Sequence, residues 1–144
     1  MTAMQTFVTP EDVENAFYKA VNHGNLSDLL SVWAEEEELL CLHPNGTLLN
    51  SLENIRESWR EILGGQTKIR LNFRRIGYWR GSMIAVHHLL EEMQSDSDDV
   101  SGIFRVTHVF MRGAYGWRMV CRHSSPVGND FVMRQGAAGR RTLH

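Results

Sequence analysis

Apolar positions recur at helical spacing in the first half of the chain and alternate in the second. Val13, Ala16, Phe17, Ala20 and Val21 follow i, i+3, i+4, i+7, i+8 and predict an amphipathic helix. Thr9-Pro10-Glu11-Asp12 is its start: threonine can cap, proline suits the first helical position, and the two acids oppose the positive end of the dipole. Gly24 ends it, and Asn25 can cap a shorter second helix with Leu26, Leu29, Leu30 and Trp33 on one face. The acidic run Glu35 to Glu38 reads as a solvated turn. Leu39 to Leu42 forms a short strand, and the corner His43-Pro44-Asn45-Gly46 returns it as a hairpin through Thr47, Leu48 and Leu49. Ser51 can cap a third helix that turns Leu52, Ile55, Trp59, Ile62 and Leu63 inward before Gly64-Gly65.

From Lys68 onward the period is two. Ile69, Leu71 and Phe73 alternate with Lys68, Arg70, Asn72 and Arg74, and a Gly81-Ser82 turn leads into a strand from Met83 to Met93. Ser95 to Asp99 is a polar hairpin tip, and two further strands, about Gly102 to Met111 and Trp117 to Ser125, flank Gly113 and Gly116. There is no βαβ crossover, so the expected class is α+β: a curved antiparallel sheet with the helices on one side. Residues 1–127 are expected to form one domain and 128–144 a flexible Gly- and Arg-rich tail.

Composition narrows the function classes. With 42% hydrophobic and 22% charged residues the 144-residue chain is globular, and its net charge of −2, with scattered cations, gives no footprint for nucleic acid. No apolar run is long enough for a membrane span, and Met1 to Thr9 lacks the features of a secretory signal, so a cytoplasmic protein is expected. Cys41 and Cys121 sit in apolar segments without metal-like spacing and read as reduced thiols. No GxGxxG, P-loop or HExxH motif is present, and no cofactor is expected.

The order of elements, with Trp33, Leu40-Cys41-Leu42-His43-Pro44-Asn45-Gly46, Ser58-Trp59-Arg60-Glu61-Ile62-Leu63, Gly116-Trp117-Arg118-Met119-Val120 and His123-Ser124-Ser125-Pro126, resembles the SnoaL-like branch of the nuclear transport factor 2-like superfamily. The resemblance covers about Pro10 to Pro126. It implies a cone-shaped, cystatin-like fold of about six curved strands, three helices closing the concave side, a pocket between them and commonly a homodimer. Enzymes of this kind generally use a carboxylate or histidine in the pocket as acid or base. Isomerases, dehydratases, cyclases, epoxide hydrolases and non-catalytic association domains share the scaffold, so the fold leaves the chemistry open.

An Asp-based isomerase pattern needs a strand aspartate among apolar walls. Every Asp here lies in a helical or loop segment, and the strand carboxylates, Glu91 and Glu92, fall near the polar tip. Histidine is the better candidate. With a last hairpin loop of two or four residues, Phe104, Val106, His108 and Phe110 share a face with Trp117, Met119, Cys121 and His123. His43 sits at the corner that the resemblance places near the cone opening. His87 and His88 point to opposite faces and cannot jointly hold a metal; no metal site is expected. Arg105 falls on the face opposite His108, and Cys121 is two residues from His123, too far for a thiol and its base.

These residues lead to a small-molecule-binding homodimer of undetermined reaction, with His43, His108 and His123 meeting in a pocket walled by Trp33, Trp59 and Trp117. Its ligand would be small and largely apolar, with one or two polar atoms. The alternatives are a cofactor-free isomerase, lyase or hydrolase using those histidines, and a non-catalytic association domain. Apolar residues on both sheet faces, such as Ile103, Val109 and Met111 opposite Phe104, Val106 and Phe110, leave one face for the dimer. Exchanging either strand histidine for an apolar residue should weaken binding at little cost in stability.

Overall fold

A computed structural model describes residues 5–35, 38–66, 68–95 and 100–127. Three helices, α1 (Pro10–His23), α2 (Leu26–Ser31) and α3 (Leu52–Leu63), are each capped by the residue the sequence offers. The side chains of Thr9, Asn25 and Ser51 accept from the backbone N–H groups of Asp12, Asp28 and Asn54 respectively, at 3.0–3.1 Å. Gly24 ends α1 at φ 65°, a conformation that costs glycine nothing.

Six strands, β1 (Leu40–Leu42), β2 (Leu48–Leu49), β3 (Arg70–Arg80), β4 (Ile84–Gln94), β5 (Val100–Gly113) and β6 (Gly116–Pro126), form one sheet in the order β2-β1-β6-β5-β4-β3. The expected α+β class, with three helices and six strands, is observed. One pairing departs from the antiparallel expectation: β1 runs parallel to β6, with Leu40 opposite Cys121 and Leu42 opposite His123. The physical reason is that no hairpin joins the two. The chain already bridges β6 at Trp33 and Met119, in the parallel sense, and continues in that direction into β1. The same bridge takes Trp33 off the second helix, which ends at Ser31.

The inner face carries the core: Phe17 and Val21 of α1, Leu29 of α2 and Ile55 and Trp59 of α3 join Leu71, Leu89, Val106, Phe110, Trp117 and Met119 of the strands in one buried cluster. Three register shifts change the alternation, one of them at Ser101 near the start of β5. In β3 the register shifts at Ile76. In β6, Phe110 pairs with Met119 but Val109 with Cys121, so Val120 is an extra residue. A one-residue insertion moves every following side chain to the other face. The shared face expected for Trp117, Met119, Cys121 and His123 therefore breaks at Val120: Trp117 and Met119 point inward, and beyond them Arg122 and Ser124 do. Part of the expected acidic turn, the tip at 96–99 and the tail at 128–144 lie outside the described residues. Among the described residues no helix is long and apolar enough to cross a membrane.

Candidate functional site

The concave side holds a buried polar network that begins on α1. Glu14 lies one helical turn before Phe17 and Tyr18, so the inward stripe carries a carboxylate into the interior. Its Oε2 is 2.7 Å from Nδ1 of His108 on β5, and its Oε1 accepts from Nδ1 of His87 on β4 at 2.9 Å and from Nε of Arg75 on β3 at 2.5 Å. Cross-strand pairing sets His87 beside His108, which lets one carboxylate reach both rings. Burial alone would raise the Glu14 carboxyl, but the hydrogen bonds from His108 and His87 outweigh it and hold it at about 2.

The other half is built around Arg122, which the bulge at Val120 turns inward. Its Nη1 donates to Nε2 of His108 at 2.8 Å, and its Nη2 donates to both oxygens of Glu91 at 2.9 and 3.0 Å. Tyr18 Oη donates to Glu91 at 2.7 Å. Burial opposes ionisation of Glu91, and the Arg122 charge with these bonds holds its carboxyl below the usual range. Burial and Glu91 push the Tyr18 phenol well up, so it stays a donor.

These contacts assign the His108 tautomer. Its Nδ1 faces a carboxylate and must carry the hydrogen, and its Nε2 faces a guanidinium N–H and must accept. Burial and Arg122 lower the His108 pKa, so the ring is neutral. Phe17, Tyr18 and Phe110 surround it, with ring centroids at 5.6, 6.0 and 5.9 Å. Both nitrogens of His87 face carboxylates, Nδ1 toward Glu14 and Nε2 toward Glu11 at 3.3 Å.

The sequence-derived residues divide. His108 is at the centre, with Val106 and Phe110 on the same face and Phe104 two residues further on. His43 joins from the β1–β2 corner: its Nε2 is 2.8 Å from Ser58 Oγ, its ring packs edge-on to Trp59 at 5.6 Å, and burial and Arg122 lower its pKa. His123 is not brought together with them. It is exposed on the outer face, 2.9 Å from Ser125 Oγ, because the bulge reversed its orientation, and Cys121 faces outward for the same reason. Glu91, set aside in the sequence because it falls near the polar tip, is buried on the inner row of β4 with Ala85, His87 and Leu89. His87 and His88 point to opposite faces, His88 outward to Thr107 at 3.0 Å.

Glu14, Tyr18, Arg75, His87, Glu91 and Arg122 were not among the sequence candidates. Alternation from Leu89 reaches His87 and Glu91, and helical spacing from Phe17 reaches Glu14. Nothing in the sequence marks the bulge that brings in Arg122. Among the described residues three buried side-chain polar atoms lack a hydrogen bond of ordinary geometry: the indole nitrogens of Trp33 and Trp59 and the hydroxyl of Ser124, with the Cys41 thiol, a weak acceptor, beside the Trp59 indole. Ser124 lies two residues beyond Arg122 on the inner face, and the Trp59 ring touches Phe17 and His43. No cluster of three or more metal-binding side chains occurs among the described residues.

Residues 11–129 match the SnoaL-like domain family. The chain belongs to it. This SnoaL-like protein is 31% identical to a Thiobacillus denitrificans protein provisionally assigned as a calcium/calmodulin-dependent protein kinase type II association domain, over 85% of this chain and 98% of that one, with a TM-score of 0.79. It also shares its fold with a provisionally assigned dehydratase of the nuclear transport factor 2-like family from Streptomyces avermitilis (23% identity, 81% and 91% covered, TM-score 0.73). A ketosteroid isomerase-like protein from Erwinia carotovora atroseptica has the same fold (10% identity, 82% and 93% covered, TM-score 0.69). Among curated proteins none matches the sequence.

Proposed function

We propose that this SnoaL-like protein is a homodimer that binds a small, largely apolar molecule on its concave side, beside Arg122, Trp59 and Ser124. The observation that carries this reading is the set of buried donors that, among the described residues, have no oxygen or nitrogen acceptor. A buried donor left unsatisfied costs about 1–3 kcal/mol, so a ligand that supplies an acceptor recovers that cost. Indole N–H groups can only donate, so the polar atom of the ligand is a hydrogen-bond acceptor. Arg122 is already matched by Glu91, and Glu14 by its histidines, so the ligand carries no net charge. The rest of its surface meets aromatic and aliphatic walls.

Calorimetric titration tests this with three probes of one size: acetophenone, ethylbenzene and benzoate. Acetophenone binds most tightly, and Trp59→Phe or Ser124→Ala weakens it. Equal binding of all three, or of none, contradicts the reading. The dimer uses the outer face, where Val86, Leu90, Ile103, Val109 and Met111 are half-buried and Trp79 and Ile84 exposed. Sedimentation at micromolar concentration gives twice the chain mass if the face is covered by a second copy and the chain mass if it is not.

A second reading is a cofactor-free isomerase, lyase or hydrolase, and the 2.7 Å contact of Glu14 with His108 favours it. A carboxylate that holds Nδ1–H leaves Nε2 as the proton acceptor, the arrangement needed in a general base. Arg122 occupies that nitrogen here, so a substrate would have to take its place. The third reading, a non-catalytic association domain, is supported by the assignment of the Thiobacillus denitrificans relative.

A further inference from the structure

The sheet has two unequal edges. At one end β2 has two residues; at the other β3 offers eleven, with no strand beyond it among the described residues. A long open edge is a template for another strand unless it is blocked. One rung of β3 is already filled, by a side chain. The Asn22 amide accepts from Leu71 N–H at 2.7 Å and donates to Leu71 C=O at 3.0 Å, the two bonds that a neighbouring strand would make. Leu71 thus directs its peptide groups away from β4. In an antiparallel ladder that orientation repeats every second residue, so Phe73 and Arg75 direct theirs outward too.

The strand Arg-Leu-Asn-Phe-Arg-Arg-Ile-Gly-Tyr-Trp-Arg has four arginines and no acid. Arg70 and Arg74 are exposed on the outer face, and among the described residues no ion pair engages either. Like charge along an edge disfavours pairing with the same strand of another copy. It favours a strand of opposite charge. Beyond the bulge, Tyr78 is 77% exposed on the face opposite the proposed dimer contact and offers an apolar contact to a side chain of such a strand.

We infer that the β3 edge is a docking site for an acidic, extended peptide segment of another protein, which pairs with the outward peptide groups of Phe73 and Arg75 and sets carboxylates against Arg70 and Arg74. Backbone bonds give such a complex its register, and the arginines its sign selectivity.

Fluorescence anisotropy on the full chain tests this with a labelled peptide of alternating threonine and glutamate, its threonine–lysine counterpart, and the glutamate peptide N-methylated at alternate residues. The glutamate peptide binds. The lysine peptide does not, N-methylation weakens binding about tenfold or more because it removes the ladder donors, and Arg70→Glu with Arg74→Glu does the same. Hydrogen exchange on the wild-type chain shows new protection at the Phe73 and Arg75 amides. Equal binding of the N-methylated peptide, or no added protection at those amides, overturns edge pairing in favour of charge attraction alone. Absence of binding by the glutamate peptide overturns the site.

Discussion

Glu14 and His108 are 94 residues apart in sequence and meet at 2.7 Å in the interior, where neither side chain reaches solvent. Through Glu14 the first helix is tied to β3, β4 and β5 at once, by Arg75, His87 and His108. Through His108 the carboxylate is coupled to Arg122, and from there to Glu91 and Tyr18.

Removing His108 is therefore costly. An apolar substitute such as His108→Phe leaves a buried carboxylate and a buried guanidinium each short of a partner, which costs about 3–5 kcal/mol. The sequence alone suggested that such a change would cost little; the two charged partners alter that expectation. Urea unfolding measures it, and a loss under about 1 kcal/mol would show that the network does not hold these groups as described.

Arg122 and Glu91 form the matching test of coupling. Arg122→Met strands Glu91, and Glu91→Leu strands Arg122, each at a cost of several kcal/mol, whereas the double variant removes both charges. The double variant is expected to be less destabilised than the sum of the single ones by about 2 kcal/mol or more in a double-mutant cycle. Additive losses would contradict the bidentate pair.

Acid weakens the fold with a defined sign. The Glu14 carboxyl is held at about 2 against an ordinary 4.5, so its contribution is complete above pH 4.5 and is lost as pH falls from there toward 2. Over that window it amounts to about 3 kcal/mol, and Glu91, lowered in the same direction, adds to it. His108 is lowered from 6.5, so the unfolded chain takes up its proton first and stability begins to fall as pH drops below 6.5. Unfolding free energies between pH 7 and 3 should fall throughout; stability that rose on acidification would contradict the assignment.

The thiols report the two faces. Burial raises Cys41 to about 11 on the inner side, while Cys121 is half-buried on the outer side. Cys41 is expected to react with a thiol reagent at pH 8 only on unfolding. Cys121 reacts in the monomer and is protected when the outer face is covered. Rapid labelling of Cys41 in the folded chain would contradict its place in the core.

Much of the fold was legible because local chemistry and global packing agree: Thr9, Asn25 and Ser51 cap where they should, and the period changes near Lys68. The site was legible only in part. His108, Val106 and Phe110 follow from simple alternation, whereas Arg122 and His123 exchange faces because of one extra residue, Val120, whose β-branched apolar side chain looks like any other strand residue. Glu91 was passed over for a different reason. A carboxylate near a polar tip reads as exposed until the arginine and tyrosine that bury it are known, and those lie 31 and 73 residues away.

The occupancy of the concave side is tested most directly by the Trp59 indole N–H resonance during titration with acetophenone. A bound acceptor gives a downfield shift that saturates, is absent with ethylbenzene, and is accompanied by weaker binding in Trp59→Phe, a change that keeps an aromatic ring and removes the donor. An indole resonance that stays in place while acetophenone is added to saturation, or a Trp59→Phe protein that binds it as tightly as the wild type, would contradict the proposed site.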